Sequence, residues 1–216
     1  DLYQLIVSSW HQGRDRPQRV FGPPGTRRYV EGLLELWRPE LEQRIAHEKR
    51  PSTAALEIEV EEIGDGWTGE FGGLSVTAFA VEHWPVKHAL GFAFSAAGRR
   101  LVLSGDTRRC DAVIAAARGA DLLLHEVFVH REMPVVEGVR SAETVENVAA
   151  YHTLSEAGVK ALALTHFVPP SCDRAALLAE VQADYAGPVA IGEDLMRFDL
   201  QARTIRHGDT LLSLGG

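Results

Sequence analysis

Four apolar runs in this 216-residue chain each stop at a residue that can bind a metal or move a proton. Residues 76–82 lead into His83, residues 100–105 into Asp106, residues 121–124 into His125-Glu126, and residues 161–165 into His166. Imidazole and carboxylate are donors that suit zinc, manganese or iron. A carboxylate can bridge two cations, and a cation pair can lower the pKa of a shared water and hold a leaving oxygen. Gly105 lets the backbone turn tightly and bring Asp106 in. For any one of His83, His125 and His166, a core histidine held by a backbone carbonyl is the ordinary alternative. For three at separate strand ends beside Asp106, that alternative is hard to sustain.

The other candidates are weaker. Of the nine histidines, His11, His47, His130 and His207 lie in polar stretches and read as surface residues. Adjacent strand residues face opposite sides, so His125 and Glu126 cannot both point straight into one site. Glu126 can instead orient His152, since a carboxylate that fixes a histidine tautomer makes a proton donor. The alternative for His152 is a helix-end histidine with no role. Cys110 and Cys172 lie in or beside helices, where packing is the favoured reading. The chain has no GxSxG, Walker A, GxGxxG or zinc-finger spacing, so serine-hydrolase and nucleotide-fold chemistry have no local support.

The elements that position these residues follow from periodicity. Apolar positions 2, 5, 6 and 10 give a helical stripe. A short strand at 19–21 and a turn at 22–26 follow, with Thr26 as N-cap of a helix over 27–37. Residues 39–51 are charged and read as a solvated helix or arm. Residues 56–63 alternate apolar and acidic side chains, which marks a half-exposed strand. With strands over 74–81, 88–94 and 101–103, this order suggests an antiparallel meander. From Asp106 onward the pattern becomes β-α-β-α-β: a helix over 110–119, a strand at 122–124, a helix over 142–151, a strand at 161–165, a helix over 174–185 and a strand at 189–191. That alternation signals parallel crossovers. Residues 196–200 and 204–207 read as a terminal hairpin. The expected class is α/β, with two sheets and helices outside, and no linker or repeat divides residues 1–216.

The bulk numbers narrow the function. Hydrophobic residues make up 45% and charged residues 24%, ordinary for a globular chain. Net charge is −8, which gives no electrostatic reason to expect a nucleic-acid surface. Two cysteines cannot build a disulfide framework, so a reducing cytoplasm is the simplest compartment. There is no apolar run of about 18 residues, and no membrane association is expected.

Five pieces of the sequence together resemble the metallo-β-lactamase-fold hydrolases, in the ribonuclease Z and arylsulfatase-like branch. They are Val20-Phe21-Gly22-Pro23-Pro24-Gly25-Thr26, Val81-Glu82-His83 before a strand near Gly91-Phe92, Ser104-Gly105-Asp106-Thr107, Leu124-His125-Glu126, and Leu164-Thr165-His166-Phe167. They occur in family order over nearly the whole chain. The resemblance implies an αββα sandwich with two divalent metal ions, zinc first and manganese or iron as alternatives. It implies His83 as a ligand of one metal, Asp106 as the bridging carboxylate and His166 as a ligand of the other. It implies Glu126 and His152 as the proton-donating pair, so that catalysis falls to Asp106, Glu126 and His152. His88 does not fit the pattern.

One departure is large: the family's His-x-His-x-Asp-His motif is absent. In the family it precedes a segment like Asp1-Leu2-Tyr3-Gln4-Leu5-Ile6. The chain is therefore expected to be a single domain, N-terminally incomplete, from the C-terminal portion of a longer protein, with a weak or empty metal site. The implied activity is hydrolysis of a phosphodiester, or of a related sulfate or carboxylic ester, by metal-bound hydroxide on a small molecule. One alternative is a tRNA 3′-end processing endonuclease acting on RNA, which net charge disfavours. The other is a non-catalytic scaffold that has lost its metal site. A homodimer, common in the family, is the implied assembly.

Overall fold

The four apolar runs enter one seven-stranded sheet in a computed structural model that describes residues 1–129 and 157–214. The chain divides into two compact units, Asp1–Gly64 and Asp65–Gly216.

The first unit opens with α1 (Leu2–His11), which buries Ile6 and Trp10 of the expected stripe together with Val7, while Leu5, also expected in the stripe, is exposed. The Trp10 indole donates to the Ser52 carbonyl at 2.8 Å. Strand β1 (Gln18–Gly22) is followed by α2 (Thr26–Leu36) and α3 (Arg38–Glu48), and then by β2 (Ile58–Glu62). The charged stretch is thus a helix, and it buries Leu41.

Two expectations change in this unit. Strand β2 does not join the meander. It pairs in parallel with β1, from Gln18↔Ile58 to Gly22↔Glu62. A helical crossover returns the chain in the same direction, and parallel pairing follows. The N-cap of α2 is Gly25, at φ +101°, and not Thr26. The amides of Gly25 and Arg27 donate to Glu62 Oε1 at 2.8 and 3.0 Å. A carboxylate from β2 satisfies those orphan donors at the positive end of the helix dipole. Thr26 instead donates its hydroxyl to the Pro23 carbonyl.

The second unit holds β3 (Thr68–Phe71), β4 (Leu74–Ala80), β5 (Leu90–Ala96), β6 (Arg99–Leu103), β7 (Leu122–Phe128), β8 (Leu162–Val168) and β9 (Val189–Ile191), which lie side by side in that order. Strands β4 to β6 form the expected antiparallel meander, with β3, a strand the sequence had not marked, in the place expected for residues 56–63. From β6 to β9 every pairing is parallel. Helices α4 (Asp111–Ala117) and α5 (Arg174–Asp184) lie in those crossovers. Helix α5 starts on Asp173, whose carboxylate accepts the amides of Ala175 and Ala176. The tail forms a three-stranded sheet of β10 (Arg197–Asp199), β11 (Thr204–His207) and β12 (Thr210–Ser213), one strand more than the expected hairpin. The helix expected over 142–151 lies outside the described residues.

Alternation along β7 and β8 sorts the core into two layers. Leu123, Val127, Leu162 and Leu164 pack with Val113, Ala117, Leu177 and Val181 from α4 and α5. Leu122, Ala161 and Ala163 face the other way, against Ile205 and Leu214 of the terminal segment. Helices cover one face of the large sheet and the small sheet covers the other. Among the described residues, no helix is long and apolar enough to cross a membrane.

Candidate functional site

Gly105 fixes the turn that presents Asp106. Its φ is +66°, and a Cβ there would lie 2.4 Å from the Leu90 carbonyl oxygen. Glycine is therefore required both for the left-handed backbone and for the close approach to β5. Asp106 follows, with its side chain 46% exposed. Its Oδ2 lies 4.0 Å from His83 Nε2 and 3.7 Å from His166 Nε2. The ends of β4, β6 and β8 thus deliver His83, Asp106 and His166 to one place, with the carboxylate oxygen between the two imidazoles.

His166 reaches that place by an irregularity. The β7–β8 register runs Glu126↔Thr165 and then Val127↔Phe167, so His166 is the extra residue of a β-bulge. Its φ is +47°, rare for a residue with a side chain. Regular alternation would put His166 on the face of Leu162 and Leu164, both fully buried. The bulge frees it, and its side chain is 54% exposed.

His125 takes the other course. It lies within β7, which continues to Phe128 rather than stopping at Leu124 as its apolar run suggested. It shares the face of Leu123 and Val127 and is 1% exposed. Its Nδ1–H donates to the Glu126 carbonyl at 2.7 Å. Burial pushes its pKa down to about 4, with that hydrogen bond opposing, so the ring is neutral. His125 is a core histidine held by a backbone carbonyl, the alternative the sequence had argued against.

Glu126 occupies the opposite face and is buried at 8% exposure. Its Oε1 accepts the Thr107 amide at 3.3 Å. Burial pushes the carboxyl up to about 7; the Thr107 amide opposes this and the Asp106 charge adds to it. A carboxyl poised there can hold or release a proton near neutrality. His152, its expected partner, lies outside the described residues.

Sequence reasoning missed Ser104 and Thr107, which wire the loop. The Ser104 hydroxyl accepts the Glu126 amide at 3.1 Å and donates to the Gly105 carbonyl. Thr107 is fully buried. Its hydroxyl accepts the Glu82 amide at 3.2 Å and lies within 3.3 Å of the Glu82 carbonyl. The Arg108 amide also donates to the Glu82 carbonyl at 2.9 Å. The Asp106 loop is thereby locked to the segment carrying His83. The available signal was the Ser-Gly-Asp-Thr run itself, whose flanking hydroxyls are short enough to bond backbone on either side. Cys110 and Cys172 are buried and free, in keeping with packing roles.

The donors suit divalent ions in kind. Two ligands about 2.1 Å from a tetrahedral ion lie roughly 3.4 Å apart, and both gaps at Asp106 Oδ2 are somewhat wider. In number they fall short. Among the described residues, no group of three or more His, Cys, Asp or Glu converges tightly enough to hold an ion. His83 with Asp106, and His166 with Asp106, each offer half of a four-coordinate shell.

Comparison with known proteins agrees with this architecture. A family model described as a beta-lactamase superfamily domain matches residues 8–167. A putative ribonuclease Z of Mycobacterium tuberculosis (strain CDC 1551 / Oshkosh) is 30% identical over 217 residues, covering 94% of this chain and 94% of that protein. Among solved structures, the metallo-beta-lactamase fold protein YhfI from Bacillus subtilis superposes with a TM-score of 0.60 at 18% identity, over 89% of this chain and 69% of that one. The Zn(2+)-bound PqqB from Methylobacterium extorquens gives 0.51 at 20% identity, over 81% and 60%. With the family model spanning most of the chain, and its strand ends meeting at Asp106, the chain belongs to the beta-lactamase superfamily of hydrolases, in the metallo-β-lactamase fold, with ribonuclease Z relatives.

Proposed function

We propose that this chain carries the Asp106 half of a metal-dependent phosphodiesterase site. The observation that supports it is the Asp106 carboxylate oxygen between His83 and His166 Nε2, beside the buried Glu126 carboxyl. His83, Asp106 and His166 would hold two divalent ions, zinc first on donor type and manganese or iron next. When bound, such ions supply Lewis acidity and an activated water. Asp106 positions both imidazoles across one oxygen. Glu126, tied to Thr107, holds His152 in the tautomer that protonates the leaving oxygen. Related sulfate or carboxylic esters fit the same arrangement.

The test uses the metal-loaded protein, with the His-x-His-x-Asp-His segment supplied if the longer coding sequence contains one. Asp106→Ala is expected to retain the fold and lose hydrolysis of bis(p-nitrophenyl) phosphate by more than about 100-fold, since outer-shell changes alone cost about 10–100-fold. An unaffected rate refutes the assignment. Replacing His152 is expected to slow poor leaving groups more than good ones; equal loss for both removes its acid role.

RNA is the second reading, and the relatives named ribonuclease Z favour it. The net charge of −8 argues for a small substrate. Cleavage of a precursor tRNA, set against an aryl phosphodiester and an aryl sulfate, separates the readings. A non-catalytic scaffold would cleave none of them.

A further inference from the structure

Two registers compete where β8 leaves the sheet. In a regular register His166 would pair with Val127, on the face of the helices, and Phe167 would turn to the opposite face. The structure instead pairs Val127 with Phe167 and Phe128 with Val168, and expels His166 between them. The Val129 amide continues this shifted pairing, donating to the Val168 carbonyl at 2.7 Å. Strand pairing alone favours the regular register, which interrupts no ladder bond. The bulged register also holds His166 at φ +47°. Such backbone persists only where its surroundings over-determine it.

What opposes the regular register is packing around Phe167. In the bulged register its ring joins the helix-side core. There Arg174, the first residue of α5, lies over it, with Cζ 3.4 Å from the ring centroid. Arg174 Nη2 donates to the Pro170 carbonyl at 2.9 Å, and Nη1 lies 2.9 Å from Cys172 Sγ. One guanidinium therefore joins the ring to the loop between β8 and α5. The loop is closed by the Cys172 amide, which donates to the Pro169 carbonyl at 3.1 Å. Helix α5 is itself anchored by buried Leu177 and Val181. A ring on the other face of β8 lies beyond this cation. The attraction of a cation for a ring face is thus gained in the bulged register and not in the regular one.

We propose that Arg174 is the positioning residue that selects the bulged register of β8, and so places His166 at the exposed edge beside Asp106. This rests on His166 belonging to the site proposed above, and not on which bond that site cleaves.

The test reads the backbone of isotope-labelled protein by NMR and needs no turnover. In the parent, the His166 Cα is expected on the helical side of its random-coil shift, between strand-like Thr165 and Phe167. Nuclear Overhauser contacts should link Val127 to Phe167. Arg174→Met keeps the apolar stem and removes the charge and the fork. It should lower the ratio of bulged to regular register by about 2- to 30-fold, the range of a cation–ring contact. The regular register then shows as relaxation dispersion or a second set of peaks around residues 165–168, absent from the parent. Arg174→Lys, which keeps the charge without the planar fork, should fall between. Phe167→Leu should match Arg174→Met, and the two together should add little. A folded Arg174→Met with His166 unmoved and no dispersion overturns the proposal, even if its melting temperature falls. Changes spread evenly over the sheet overturn it too. An Arg174-dependent register in a protein that cleaves nothing would leave this inference standing and sink the catalytic one. Cleavage with a register indifferent to Arg174 would do the reverse.

Discussion

Asp106 can sit between two imidazoles only because residue 105 lacks a Cβ. Gly105→Ala would bring a methyl group 2.4 Å from the Leu90 carbonyl and force a left-handed φ on alanine. The neighbour is backbone and cannot swing aside. The expected cost is about 2 kcal/mol or more, read as a drop in denaturant midpoint, because strained backbone alone costs about 1–3 kcal/mol. A variant as stable as the parent would show that the loop has another low-energy path. His125 makes a second prediction. Its folded pKa is depressed to about 4, so between the unfolded value near 6.5 and about 4 the unfolded chain binds more protons. Stability from this ring is present above pH 6.5 and is lost as pH falls toward 4. Glu126 has the opposite sign: its raised pKa gives stability below its unfolded value that is lost as pH rises through about 7. The two slopes offset, so replacement exposes them. His125→Asn keeps an N–H donor without titrating, and its stability should decline less than the parent's between pH 6.5 and 4.5. Parallel curves would refute the assignment.

At the scale of elements, Asp121 joins the entrances of three strands. Its carboxylate accepts the Arg100 amide of β6 at 2.8 Å, the Lys160 ammonium before β8 at 2.9 Å, and the Arg99 guanidinium at 3.2 Å. Burial alone would raise its pKa, but these three partners together hold it below the ordinary carboxylate range. The stability it adds is present at neutral pH and is lost as pH falls through that depressed value. Asp121→Ala is expected to destabilise by about 1–3 kcal/mol, because three hydrogen bonds to a charged carboxylate are lost. Hydrogen exchange should quicken most at the β6 and β7 entrances. Uniform quickening across the sheet would count against a local knot. The bulge in β8 belongs to this scale too: a single extra residue moves a histidine from the helix-side core to the exposed edge.

For the whole molecule, the donors available set the expectation for metal. His83, Asp106 and His166 give each ion two ligands, where a structural or catalytic zinc takes three or four from protein. Purified and dialysed, the chain as given should retain less than about one equivalent of zinc, and chelator should leave its melting temperature unmoved. Two firmly held equivalents, measured by elemental analysis, would refute this. The sequence by itself determined the family and the order of elements. Five short motifs, apolar runs of strand length and the switch from meander to β-α-β alternation are all local in the chain, and local pattern is what periodicity reports. It also determined that Asp106 needed the glycine before it. Tertiary structure decided which histidines count. His125 and His166 follow similar apolar runs on neighbouring strands, yet one is sealed in the core and one stands at the sheet edge. The difference is a register shift between β7 and β8, and register belongs to the pairing of two strands, which no single segment encodes. Pairing decided β2 as well, since its alternation shows a half-exposed strand but not its neighbour. The Glu62 cap on α2 and the Thr107 lock on Glu82 are of the same kind: each joins residues more than 20 positions apart, and only folding brings donor and acceptor within reach.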